Sequence, residues 1–82
     1  MIMPKVRHKH DERWLDERFA ELVGITGLNH GKAIAEKYSA VYEVEYELEA
    51  TEHKKHNRAR HEANSRLVKV IRGLKERPVK PT

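Results

Sequence analysis

A chain of 82 residues with 37% charged side chains and a formal net charge of +4 has room for one small domain. That argues against a multidomain protein and a large enzyme. Leu, Ile, Val and Phe number 18 of the 82 residues, little more than the ~20% below which highly charged chains stay disordered, so the core must be thin.

The chain has no cysteine, which removes disulfides, thiolate metal sites and a cysteine nucleophile together. No run approaches the ~18 apolar residues of a membrane span. A soluble, intracellular, cytoplasmic protein is expected, with no membrane partner.

Residues 1–10 carry Lys5, Arg7 and Lys9 without an apolar period, and Pro4 blocks an early helix. A flexible basic arm is expected there. From Asp11 the pattern changes. Trp14, Leu15, Phe19, Leu22 and Val23 share one face of a 3.6-residue period. Asp11 suits the N-cap and Glu12 the positive end of the dipole. This predicts a short helix over 11–23, stopped by Gly24. The stretch 24–31 holds three glycines in eight residues and reads as a flexible turn, with Asn29 capping whatever follows.

Between residues 32 and 77 there is no proline, and Gly73 is the one glycine. Ile34, Tyr38, Val41, Leu48, Ala59, Ala63, Leu67, Val70, Ile71 and Leu74 fit a helical stripe, interrupted by the wholly polar residues 52–57. Two helices, about 31–51 and 57–77, or one long helix would fit. Residues 44–50 alternate apolar and acidic side chains as a half-buried strand does. No second strand is visible to pair with it, and helical flanks favour helix.

The fold class expected is therefore all-α. A short N-terminal helix packs on a long, continuous or broken helix, in a helical hairpin or coiled-coil-like arrangement over a single domain of residues 11–77. Trp14, Leu15, Phe19 and Leu22 would cover Ile34, Tyr38 and Val41. In a straight long helix the stripe Ala59, Ala63, Leu67, Val70, Ile71 and Leu74 lacks an intramolecular cover at its distal end, which predicts a homodimer interface. A bend near 52–57 would instead permit a three-helix monomer.

Charge is segregated along the chain: residues 1–10 carry a net +3, residues 11–52 a net −7 and residues 53–82 a net +8. Two readings follow. The acidic and basic segments can complement each other across a hairpin or a dimer. Alternatively Lys54, Lys55, Arg58, Arg60, Arg66, Lys69 and Arg72 form a phosphate-contacting surface for nucleic acid, helped by the N-terminal arm.

Other motifs are weaker. A helix-turn-helix reading fails because the segment in the recognition position is acidic, Tyr42 to Glu47. Gly27, Gly31 and Lys32 lack the spacing and the hydroxyl residue of a phosphate-binding loop. His53, His56 and His61 offer two or three imidazoles, short of a structural zinc site, and Ser65 stands where a zinc-protease motif needs its second histidine. No metal, cofactor, catalytic residue or small-molecule substrate is expected.

In residues 78–82 the Pro78–Pro81 spacing matches a PxxP ligand, but a disordered tail is the simpler reading. The sequence points first to a small non-enzymatic regulatory protein that docks on a protein partner through charged helical faces. Nucleic-acid binding is the alternative.

Overall fold

The computed structural model describes residues 2–76. Three helices follow one another: α1 (Glu12–Thr26), α2 (Leu28–Leu48) and α3 (Lys55–Glu76). Single 3-10 turns at Lys9–Asp11 and Glu52–Lys54 precede α1 and α3. Among the described residues there is no strand, so the fold is all-α. The residues assigned to a C-terminal tail, and Arg77, lie outside the described residues.

The break falls where the apolar stripe is interrupted. Residues 49–54 leave the α-helical path, and α3 returns along α2. The N–H of Lys54 closes the turn on the carbonyl of Thr51 (3.0 Å). Lys55 then anchors the hairpin from the α3 side, donating from Nζ to the carbonyls of Glu49 (2.8 Å) and Tyr46 (3.3 Å). The Tyr46 carbonyl also accepts from the Glu49 N–H (3.4 Å), and a cation suits this negative end of α2.

The bend changes what covers the distal stripe. Ala59, Ala63, Leu67 and Ile71 are buried in a single chain, with Leu15, Phe19 and Leu22 from α1 and Ile34, Ala35, Tyr38 and Tyr42 from α2. Val70 and Leu74 are partly buried against the same core. The case for a second copy over this stripe rests on a straight helix, and the bend removes that case. Ala59 and Ala63 are buried at the start of α3, where small side chains let the two hairpin helices approach closely.

Expectations about the end of α1 and the start of α2 are corrected in detail. Gly24 does not stop α1. The helix runs on to Thr26, whose hydroxyl donates to the Leu22 carbonyl (2.9 Å), and ends at Gly27 with φ +92°. The glycine stretch is therefore a one-residue corner, and Asn29 lies inside α2. Gly31 serves a different purpose: a Cβ there would sit 2.6 Å from Val23 Cγ2, so the corner closes only because Gly31 has none.

The alternating residues 44–48 are helical, and α2 ends at Leu48. Helical geometry turns Glu45 toward Arg58 of α3 (3.1 Å) and leaves Val44 and Leu48 exposed by 55% and 59%.

The N-terminal segment is no free arm over residues 2–8. Pro4 is fully buried, and Ile2, Met3 and Val6 pack on the core. The Val6 N–H donates to Ser39 Oγ (3.1 Å), and Arg7 donates to the Pro4 carbonyl (2.7 Å) while pairing with Glu12 (2.7 Å). A core this thin recruits every adjacent apolar side chain, so the segment packs despite its charge.

Candidate functional site

Two features stand out on this scaffold: a polar cluster that ties the N-terminal segment to the hairpin, and an open groove on the hairpin's other face. The cluster centres on Asp11. Its backbone occupies the N-cap position of α1, but its carboxylate makes no cap hydrogen bond. Instead it accepts a two-pronged pair from Arg60, Nε to Oδ2 at 2.8 Å and Nη2 to Oδ1 at 2.9 Å. Asn64 Nδ2 adds a third bond at 3.2 Å. Asn64 Oδ1 in turn accepts from the Tyr38 hydroxyl.

The electrostatics follow from these contacts. The Arg60 hydrogen bond, against some burial, holds the Asp11 carboxyl below its ordinary value. Burial pushes the Tyr38 phenol well up, so at neutral pH it is a donor and remains neutral. Beside them Tyr42 bonds His56 Nδ1 (2.7 Å), and His56 meets the ring of His8 edge-on at 5.4 Å. His8 and His10 stack at 4.9 Å. Loss of solvation and the positive charge of Arg60 hold His8 below the usual imidazole range. This cluster locks residues from three parts of the chain in place.

The seven residues considered for phosphate contact divide into two groups. Lys55 caps α2 and lies 5.2 Å from the Tyr46 ring centre. Arg58 pairs with Glu45 (3.1 Å) and Glu49 (3.7 Å), and Arg60 with Asp11. Arg58 and Arg60 thus complement acidic groups within the chain, while Lys55 is used on backbone carbonyls. Lys54, Arg66, Lys69 and Arg72 are exposed. Of the histidines singled out for metal, His56 is bonded to Tyr42 and His61 is exposed on α3. Among the described residues no three His, Asp or Glu side chains converge as metal ligands do.

The groove runs between α2 and α3 and has a volume of about 320 Å³. From α2 it is lined by Ile34, Lys37, Tyr38 and Val41, and from α3 by Ala63, Arg66, Leu67, Lys69 and Val70. No residue of α1 or the N-terminal segment contributes. Val41 therefore faces this side and is not covered by α1 as the spacing suggested. Leu67, Tyr38 and Ile34 are buried in the floor, Val41 and Val70 are half-buried, and Lys37, Arg66 and Lys69 stand exposed around them. Along α2 the row continues past the groove through Val44 and Leu48.

Compared with protein-family models, with curated proteins and with solved structures, the chain matches none. No helix among the described residues is long and apolar enough to cross a membrane.

Sequence reasoning missed both the Asp11 cluster and the groove. A signal for the cluster was present. Tyr38, Tyr42 and Tyr46 recur every fourth residue on α2, and a buried tyrosine hydroxyl requires a polar partner. Asn64 and His56, eight residues apart on α3, supply two of those partners. The groove had a signal too: Ile34, Val41 and Leu48 recur every seventh residue with Val44 between, a second apolar row beside the core stripe.

Proposed function

We propose that the protein is a small non-enzymatic docking module that binds a protein partner through the open α2/α3 face. The observation that carries this reading is the groove itself: an apolar floor with three exposed cations around it, on a hairpin whose other face is already covered by α1 and residues 2–8. Apolar anchoring contacts within a polar rim are the usual anatomy of a protein interface. The docking unit in this reading is the single chain, and the charged helical faces act as rim rather than as principal contact.

The charge pairing supports this reading over the nucleic-acid alternative. Part of the acidic and basic segregation is used within the chain, by Arg58 with Glu45 and Glu49 across the hairpin and by Arg60 with Asp11 ahead of α1. A phosphate surface would draw only on Lys54, Arg66, Lys69 and Arg72 of the original seven.

The test is site-specific photo-crosslinking of the full chain in the cells that express it, from a benzophenone side chain at Val41 and, separately, at the exposed Glu17 of α1. Discrete protein adducts from position 41 and none from 17 are expected. Adducts to nucleic acid, or equal yields from both positions, would contradict the reading.

A further inference from the structure

Resting on that docking reading, we infer that the α2/α3 groove takes an acidic amphipathic α-helix, which lays its apolar face on the floor and its carboxylates against the rim. Shape, charge and the absence of internal competition each point to this partner.

The floor comes first. Ile34 and Val41 from α2 and Leu67 and Val70 from α3 line about 320 Å³ of open space, at the low end of the ~300–1,000 Å³ typical of small-molecule pockets. The apolar surface does not end with the groove, because Val44 and Leu48 prolong the α2 side while exposed by 55% and 59%. Ile34, Val41 and Leu48 with Val44 have heptad a and d spacing, which is the pattern a parallel or antiparallel helix reads along its whole length. A compact ligand would leave that extension uncovered; a helix with anchors at i, i+3, i+4 and i+7 covers it.

The rim sets the charge of the occupant. Lys37, Arg66 and Lys69 are the charged residues lining the groove, and no carboxylate joins them. Among the described residues none of the three makes an ion pair, whereas Arg58 and Arg60 on the same helix do. The positive charge left for a partner is thus concentrated beside apolar surface. A helix with Glu or Asp flanking its apolar stripe matches both, and like charge at the rim would oppose a basic helix. A second copy meeting groove to groove brings the same three cations and no lining carboxylate. Glu36 and Glu43 of α2 lie on its opposite flank, with Lys5 and Lys32.

The experiment uses the full chain and three fluorescent helical peptides of about 18 residues. One has a leucine stripe flanked by glutamates, one has the same stripe flanked by lysines, and one has the glutamate composition scrambled so that no stripe forms. Fluorescence anisotropy should show binding of the glutamate peptide, at least about tenfold weaker binding of the lysine peptide, and none of the scrambled peptide. A triple charge reversal, Lys37→Glu with Arg66→Glu and Lys69→Glu, touches only exposed side chains and should invert the preference. Val41→Glu should abolish both, with circular dichroism confirming that the helices persist.

Equal binding of the two striped peptides would overturn the inference. So would binding of the scrambled peptide, or tighter binding to phosphatidylglycerol vesicles or duplex DNA than to the glutamate peptide. Self-association that Val41→Glu abolishes would assign the groove to a second copy and overturn it too. If protein adducts form at Val41 but the glutamate peptide does not bind, the docking reading stands and the acidic-helix inference falls; if both fail, both fall.

Discussion

Asp11 shows how much one side chain can hold in a chain with so little core. Its carboxylate takes three hydrogen bonds, all from α3, and draws the start of α1 onto the far helix. Removing it leaves Arg60 and Asn64 without an acceptor. Asp11→Ala should therefore cost about 2–3 kcal/mol in urea unfolding, and a double-mutant cycle with Arg60→Ala should show strong coupling. Independent, additive losses would show that the pair is merely a surface contact.

The same cluster makes stability depend on pH, with a definite sign. His8 is held below its ordinary imidazole value in the folded state, so below about pH 6.5 the unfolded chain takes up the proton first. Stability should then fall as pH drops through 6.5. Asp11, held below its ordinary value, contributes fully above about pH 4, and that contribution disappears as pH falls through its lowered value. Urea midpoints measured from pH 8 to 3 should fall in two stages, and His8→Gln should remove the upper one alone. A flat profile between pH 7 and 5 would contradict this assignment.

At the scale of elements, the glycines discriminate between a corner and a free helical surface. Gly31→Ala puts a methyl group against Val23 and should destabilise by roughly 1–3 kcal/mol, although alanine is the better helix former. Gly73→Ala meets nothing within 4 Å and should stabilise by about 0.5–1 kcal/mol. Thermal melts of the two variants should move in opposite directions.

The elements also show what could be read from the chain alone. The apolar periods marked the helical stretches, and the polar run 52–57 offered a break near the turn into α3 without deciding between two helices and one long one. Helix ends were less legible. Gly24 is a poor helix former, yet nothing near it opposes a helix, whereas Gly27 has a positive φ imposed by the corner. The pairing of Asp11 with Arg60, 49 residues away, depends on how the hairpin closes, which no local pattern encodes. Residues 2–8 looked like an arm because their charges were visible and the surface waiting for Pro4 was not.

For the whole molecule, the helical hairpin is covered on one side and open on the other. The cover includes the N-terminal segment, so deleting residues 1–7 should lower stability by about 2–4 kcal/mol through lost burial of Ile2, Met3, Pro4 and Val6. A freely mobile arm would leave the urea midpoint unchanged. The open side keeps its apolar row because no further segment among the described residues reaches it, and exposed apolar surface beside unpaired cations is the molecule's clearest interaction feature.

The most direct measurement is amide chemical-shift mapping of the full chain during titration with the glutamate-flanked helical peptide. An acidic helix seated in the groove predicts shifts concentrated at Ile34, Lys37, Val41, Ala63, Arg66 and Val70, continuing to Val44 and Leu48, with α1 unmoved. Shifts spread over Lys54, Arg72 and α1, or none at saturating peptide, would contradict it.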